Sequence, residues 1–114
     1  MPVYSRELSA AEIADMIAGT AYVAVPNLQG TRVDLLVVFG NGCTAGAVAL
    51  KAGPAASFAG AWAELASAVC PGAPPGANGT VVVVGVQTAV GFVRAELKTA
   101  LAGGTITRVV VYAS

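Results

Sequence analysis

Side chains that commonly carry out chemistry are few in this sequence and lie far apart. The chain has no histidine, and its six carboxylates are balanced by six lysine and arginine residues. Histidine is the most frequent general acid or base, and such catalysis also needs a second group within hydrogen-bonding distance. Asp34, Glu64 and Glu96 fall in separate segments, and their spacing makes no pair. The sequence therefore predicts that the protein is not an enzyme and has no catalytic residue and no cofactor.

The two cysteines, Cys43 and Cys70, each lie beside turn residues. A disulfide between them is one possibility. The first seven residues lack the basic-then-apolar layout of a secretory signal, so we expect synthesis in the cytoplasm, where thiols are normally kept reduced. Two thiols without histidine also cannot complete an ordinary zinc site within one chain. We expect two reduced, buried thiols and no metal site.

Composition points to a protein that hides apolar surface in an assembly. Hydrophobic residues make up 56% of the chain and charged residues 11%, and the formal net charge is zero. Ordinary soluble domains carry roughly 25% charged residues. With no basic excess, nucleic-acid binding is not expected. The uncharged segment 65–93 contains Pro71, Pro74 and Pro75, and these prolines argue against a membrane-spanning helix.

Charged residues alternate along one predicted strand near the C-terminus. Arg94, Glu96 and Lys98 project to one face of this strand, while the apolar residues between them project to the other. One interpretation is a solvated sheet face with weak ion pairs. The other is a polar patch that fixes the register against a second subunit. Arg108, on the last predicted strand, is a candidate to join this face.

The clearest local signal is a capping box near the N-terminus. Ser9 is followed three residues later by Glu12, and Leu8 occupies the position where a hydrophobic staple would contact Ile13. Gly19 supplies a left-handed stop. These signals predict a helix over residues 10–18, with its apolar stripe packed on the domain or on a neighbouring subunit.

The residues before Leu8 have no obvious partner in the sequence. We predict that this arm is either frayed or anchored on another subunit, so Tyr4, Arg6 and Leu8 are interface candidates. The loop 70–78 is rich in proline, and Pro74 and Pro75 suit a surface contact, although a plain connector is equally compatible. The predicted division is an N-terminal arm and helix at 1–19 and a β-sandwich domain at 20–114.

The remainder of the chain consists of β-branched runs separated by turn residues. Strands are predicted at 21–25, 32–40, 43–51, 79–87, 90–98 and 104–112. Asn41-Gly42 predicts a type I′ hairpin between two of them. Periodicity does not decide between strand and helix for 57–69, where Trp62 is expected to anchor the core. The predicted fold is all-β, an antiparallel β-sandwich or jelly-roll-like domain with one short N-terminal α-helix.

From Val33 onward the sequence resembles a group of small tailed-bacteriophage virion proteins, the head decoration (cement) and head-fibre subunits with β-sandwich or jelly-roll folds. The segments that carry the resemblance are 32–39, 44–50, the tryptophan segment 61–65, 91–97 and the C-terminal 103–114. The resemblance favours a strand over 57–69. The helix before Gly19 lies outside it and is interpreted as a possible attachment device of this chain.

The resemblance implies a decoration protein that binds the outer surface of a capsid and stabilises the head. Its partners would be the major capsid protein and further copies of the chain, with a homotrimer favoured. It would be made in the host cytoplasm and located on the virion. Two alternatives remain open: a surface adhesion or fibre module that binds a receptor, and a small-ligand-binding β-barrel. No nucleic-acid or membrane partner is expected.

Overall fold

The computed structural model describes residues 4–27, 30–72 and 79–114. Eight strands and one helix follow one another along the chain. They are β1 (Tyr4–Glu7), α1 (Ala10–Ala18), β2 (Val25–Pro26), β3 (Arg32–Phe39), β4 (Ala45–Gly53), β5 (Ala63–Val69), β6 (Thr80–Gln87), β7 (Phe92–Ala102) and β8 (Ile106–Ala113).

The strands form two four-stranded antiparallel sheets. Sheet A has the order β1-β8-β3-β6, and sheet B has the order β2-β7-β4-β5. The pairs are nested: the first strand pairs with the eighth, the second with the seventh, the third with the sixth and the fourth with the fifth. This is the jelly-roll arrangement of a β-sandwich. The predicted fold class is confirmed, and the undecided segment 57–69 contains strand β5.

The core lies between the two sheets and is built by strict alternation along β3. Val33, Leu35, Val37 and Phe39 point inward and are fully buried, and Leu50 of β4 is equally buried. Burying one such side chain contributes about 1.5–3 kcal/mol relative to exposure. The sandwich is therefore held mainly by side chains at every second position of its central strands.

Helix α1 has the boundaries that its capping residues predict. The backbone N–H of Glu12 donates to Ser9 Oγ at 3.2 Å, and the backbone N–H of Ser9 donates to Glu12 Oε1 at 2.8 Å. Gly19, at φ 74°, ends the helix in the left-handed region. Ile13 and Met16 are buried and belong to the main hydrophobic core, so the helix packs on its own domain.

The prediction that nothing in the domain holds the N-terminal arm is wrong. Tyr4 to Glu7 form β1, an edge strand that pairs with β8 from Tyr4↔Ala113 to Glu7↔Val110. The backbone N–H of Leu8 then donates to Val109 O at 2.9 Å. The last strand of the chain supplies the partners that the sequence around Tyr4 does not reveal. Residues 4–18 consequently share one core with the sandwich predicted at 20–114.

The predicted Asn41-Gly42 hairpin is also wrong, because this turn connects the two sheets. β3 pairs with β6 and β8, whereas β4 pairs with β5 and β7, so the two strands flanking the turn are not hydrogen-bonded neighbours. Cys43 N–H donates to Gly40 O at 3.0 Å across the turn. Of the two turn residues Asn41 and Gly42, only Gly42 has a positive φ, of 87°, and a type I′ turn requires a positive φ at both of its central residues.

The predicted strand at 21–25 is much shorter in the structure. Only Val25 and Pro26 pair with β7, opposite Val93 and Phe92. Beyond Pro26, the backbone N–H of Asn27 still donates to Gly91 O at 2.9 Å, and residues 21–24 form no strand. Among the described residues, no helix is long and apolar enough to cross a membrane.

Candidate interaction surface

The outer face of sheet A carries an apolar surface that spans three strands. Leu36 on β3 lies opposite Val83 on β6 and Val110 on β8, and Val38 lies opposite Val81. Directly paired residues of neighbouring strands project to the same face of a sheet. We call this set, Leu36, Val38, Val81, Val83 and Val110, the valine face.

Exposure on the valine face increases towards the edge of the sheet. Val110 is 3% exposed beneath its neighbours, and Leu36 and Val38 are half-buried. Val81 and Val83 are 57% and 56% exposed, which makes them two of the three most exposed large hydrophobic residues described. Each square ångström of such surface removed from water contributes about 25 cal/mol. Covering this face with protein would therefore be favourable.

The backbone N–H and C=O groups of Val81 and Val83 lie in the plane of the sheet and point away from β3. Thr88 N–H donates to Thr31 O at 3.0 Å, at the end of the β3–β6 ladder. Because hydrogen-bonded pairs alternate in an antiparallel ladder, Val82, Val84 and Val86 direct their N–H and C=O groups to β3. The residues between them direct those groups away from β3, towards the free edge of sheet A.

The free edge of β6 lacks the features that usually prevent strand-to-strand association. Residues 80–87 include no charged side chain and no proline, and their pairing with β3 runs without a register shift. Lysine, proline, bulges and short length are the usual protective devices at a sheet edge. Within residues 4–27, 30–72 and 79–114, no strand pairs with this edge, so its backbone groups can bind a further strand.

The other three edge strands do have such devices. β1 is four residues long and carries charged residues, and β2 is two residues long and ends in Pro26. β5 carries Glu64, and its pairing with β4 shifts register between Leu50 and Lys51. Strand β6 is therefore the least protected edge of the sandwich.

Ion pairs flank the valine face on two sides. Arg108 donates to both carboxylate oxygens of Glu7, at 2.7 and 2.8 Å, and this pair lowers the pKa of Glu7 and raises that of Arg108. Arg32 and Asp34 pair at 3.0 Å and lie over Gly85, where a Cβ atom would collide with both side chains. Each charge has a partner, so the border of the valine face is locally neutral.

The position of Arg108 corrects the prediction that it joins the charged face of Arg94. Arg108 is on β8 in sheet A, whereas Arg94 is on β7 in sheet B. Sequence alternation assigns a residue to one side of its own strand, but it does not show which sheet contains that strand. The two arginines therefore belong to opposite outer faces of the sandwich.

The charged residues of β7 do share one face, as predicted. The guanidinium of Arg94 lies between the rings of Tyr22 and Trp62, with its carbon 4.4 and 4.2 Å from the two centroids. Arg94 Nε donates to Glu96 Oε2 at 2.6 Å, and Lys51 Nζ pairs with Glu96 Oε1 at 3.2 Å. Stacking on aromatic faces favours arginine, because its guanidinium is planar and weakly hydrated. This network covers the outer face of sheet B.

Lys98 extends the same face towards β5. Its Nζ donates to Glu64 Oε2 at 3.0 Å and to Ser67 Oγ at 3.4 Å. The lysine is the main cause of a lowered pKa for Glu64. Arg94, Glu96 and Lys98 are thus ion-paired within the protein, and Arg94 and Glu96 are largely shielded from solvent, with side chains 18% and 13% exposed. Whether they also contact a second subunit stays a prediction.

Trp62 is buried, but outside the core where we expected it. The side chain is 5% exposed and lies on the outer side of sheet B, against Gly53, where a Cβ atom would collide with the indole ring. Its Nε1–H donates to Phe58 O at 3.0 Å. The indole ring of Trp62 shields Gly53 from solvent on that face, and the guanidinium of Arg94 stacks on the indole ring.

The candidate interface residues of the arm have different environments. Tyr4 is 36% exposed on β1. Arg6 is ion-paired with Glu12 at 2.6 Å, so it fastens the arm to helix α1. Leu8 is 5% exposed in the main core, so its side chain is covered within its own chain, and its contact with a partner stays a prediction. Pro74 and Pro75 lie outside the described residues.

The two cysteines are buried, free thiols, as expected. Cys70 Sγ donates to Cys43 O at 3.3 Å, and Cys43 Sγ donates to Ala45 O at 3.3 Å. Burial, followed by the neighbouring Cys70 thiol, raises the pKa of Cys43. A raised pKa disfavours the thiolate, which is the nucleophilic form. The Cys43 thiol is therefore poorly suited to nucleophilic chemistry.

Two cavities of the described part are open grooves with a mainly apolar lining. One of about 350 Å³ lies between helix α1 and the start of β8, beside Ile13, Ile17 and Ile106. A second of about 290 Å³ lies beside Pro54, Ala63 and Val90. A ligand site normally adds a few convergent polar groups to an apolar lining. Within residues 4–27, 30–72 and 79–114, no cluster of three potential metal ligands occurs.

The valine face was not predicted from the sequence, where the interface candidates lay in the N-terminal arm, the loop 70–78 and the charged strand of Arg94. The available signal was the uninterrupted run Val81–Val84, because one strand with valine on both sides must expose half of them unless both of its faces are covered. Comparison with known proteins adds no further guide, since no family model, no curated protein and no solved structure matches the chain.

Proposed function

We propose that this protein is a structural subunit, without catalytic activity, that works by binding other protein subunits through the valine face. The observation that carries the proposal is the exposure of Val81 and Val83, both above one half, on a sheet face whose central residues are also apolar. Exposed contiguous apolar surface on a β-sheet marks a site of protein contact.

The contrast between the two outer faces supports the choice of surface. On sheet B, Arg94 is ion-paired with Glu96 and stacks on the ring of Trp62. On sheet A, the charged pairs are confined to the border, and the apolar surface between them is half-buried at Leu36 and mostly exposed at Val83. A protein-binding surface commonly has an apolar centre and a polar border. The valine face has this composition and the outer face of sheet B does not.

We further propose that the surface bound is the outside of a tailed-bacteriophage capsid, and that the protein acts there as a decoration subunit with the major capsid protein as its partner. The support is the resemblance of the segments from Val33 onward, together with an analogy of fold, because jelly rolls occur in viral capsid proteins as well as in lectins and cupins. Adhesion and ligand-barrel functions have no specific observation in their favour.

Capsid binding is tested by co-sedimentation of the full chain with empty expanded heads. Under the proposal, the heads are assembled from the major capsid protein of the same phage, and unexpanded proheads serve as the comparison. We expect saturable binding with a fixed number of copies per head. Absence of binding to heads at concentrations well above those of the capsid sites would overturn the capsid proposal.

A further inference from the structure

Strand β6 combines an exposed apolar side-chain row with a backbone edge that pairs with no other strand of the described residues. Val81 and Val83 lie on the valine face, and their backbone N–H and C=O groups are directed away from β3. A strand that binds this edge would therefore gain main-chain hydrogen bonds and apolar contacts from the same residues.

We propose that the partner at this edge is a second copy of the chain, joined by antiparallel pairing of β6 with β6. The two copies of sheet A would then form one continuous eight-stranded sheet across a twofold axis. The inference goes beyond the proposed function and does not depend on capsid binding, because it concerns the edge of the sheet and the free protein in solution.

A second copy fits this edge because the strand is complementary to itself. Residues 80–87 carry no charge, so two identical strands meet without like-charge repulsion. Antiparallel pairing of identical strands is isologous, and each residue contacts the same set of residues on the partner. A foreign strand could form the same backbone bonds, but nothing on the edge selects a particular charge in a foreign partner.

The backbone directions restrict the register of this pairing. In an antiparallel ladder, two directly opposite residues either exchange both backbone hydrogen bonds or exchange none. Residues whose backbone groups point away from β3 in one copy must therefore lie opposite such residues in the other copy. Placing Val83 on the twofold axis pairs it with the same residue of the second copy. Val81 then faces Gly85, which has no side chain and is covered by the neutral pair of Arg32 and Asp34.

This pairing also enlarges the apolar surface. The two valine faces would meet at the axis and form one apolar band across both copies, with Val83 at its centre. This isologous contact is complete when two copies have bound each other. The trimer implied by the sequence resemblance would instead need a head-to-tail contact between two different surfaces of the protein. The mass of the particle in solution therefore distinguishes the two arrangements.

Sedimentation velocity of the full chain tests the proposal directly. We expect reversible association to twice the chain mass of 11.2 kDa. Val83→Lys should weaken self-association at least tenfold, because a charge at the axis meets its own copy. The control is Val69→Lys on β5, since Val69 is 58% exposed against 56% for Val83 and faces the other side of the sandwich. A monomer at all concentrations, a trimer or an open-ended aggregate would overturn the proposal.

Amide hydrogen exchange gives a second readout that does not require a variant. In the dimer, the amides of Val81, Val83 and Gly85 should be protected, and dilution to the monomer should expose them. The amides of Val82 and Val84 should be protected in both states, because β3 already pairs with them. Rapid exchange at Val81, Val83 and Gly85 in a sample that is fully dimeric would show that another surface makes the dimer.

Discussion

Leu36 and Val83 lie directly opposite each other on the outer side of sheet A, and this pair joins a half-buried side chain to one that is 56% exposed. The pair marks the transition from the interior of the sheet to its free edge. A partner that covers Val83 would also cover Leu36, so the edge and the apolar face form one continuous surface. The following predictions examine this surface and the elements that support it.

A cysteine at position 83 should cross-link two copies of the protein. In the proposed pairing, the two Val83 residues form a hydrogen-bonded pair with Cα atoms about 5.5 Å apart, within the range that a disulfide spans. We expect Val83→Cys to form a covalent dimer rapidly under mild oxidation, as seen by non-reducing electrophoresis. Val69→Cys is the matched control on β5. Equal cross-linking of the two variants would argue for random collision rather than a specific edge.

The ion pair between Glu7 and Arg108 should stabilise the fold only above acidic pH. Arg108 lowers the pKa of Glu7 from its ordinary value of 4.5. A carboxylate with a lowered pKa contributes stability above its unfolded-state pKa, and this contribution is lost as the pH falls through the folded-state value. We expect Arg108→Gln to lower the unfolding temperature slightly at pH 7 and not at pH 2. A deficit that is the same at both pH values would show that the charge interaction is not its cause.

Arg94, which stacks on Tyr22 and Trp62 on the outer face of sheet B, should stabilise the fold more than an exposed arginine would. Its side chain is 18% exposed and contacts two aromatic rings and Glu96, whereas the side chain of Arg32 is 46% exposed and pairs with Asp34 alone. Arg94→Met should cost about 1–3 kcal/mol of unfolding free energy, because it removes cation–π contacts and a hydrogen bond to a charged group.

The measurement for Arg94→Met is urea denaturation followed by fluorescence of Trp62, the single tryptophan. Arg32→Met is the control, and its cost should stay below about 1 kcal/mol, as for exposed ion pairs. The emission of the folded Arg94→Met variant should shift to longer wavelength, since water gains access to the indole. Equal stability losses for the two variants, with unchanged emission, would contradict the role assigned to the stack.

Local chemistry predicted part of this fold well. The helix follows from Ser9, Glu12 and Gly19, whose interactions connect residues no more than a few positions apart. The strands follow from β-branched runs, which mark extended segments wherever they pair. These signals lie within a few consecutive residues and require no knowledge of the remainder of the chain.

Pairing between distant strands was not predictable in the same way. The Asn41-Gly42 turn has suitable residues for a hairpin, yet its flanking strands both occupy interior positions of different sheets. Tyr4 pairs with Ala113 at the opposite end of the chain, and no local pattern indicates this. Such contacts are decided by burial of both sheet faces rather than by the turn itself.

The candidate surface was hidden for a related reason. Valine occupies four consecutive positions from Val81 to Val84, so the sequence alternation gives no inside and no outside. Only the register with β3 shows that Val82 and Val84 face the core while Val81 and Val83 face solvent. A one-residue shift would have reversed the assignment.

The central claim is that the valine face binds the protein's partner surface, and capsid occupancy of a face variant tests it most directly. The double variant Leu36→Thr/Val38→Thr has a β-branched residue at both positions, which lie on β3 and not on the β6 edge, and it replaces apolar side-chain surface with hydroxyl groups. We expect this variant to remain folded and dimeric but to occupy empty heads at least tenfold more weakly than the wild type. Val69→Thr, on the other sheet, should bind as the wild type does. Undiminished occupancy by the double variant, with the wild type bound, would contradict the claim.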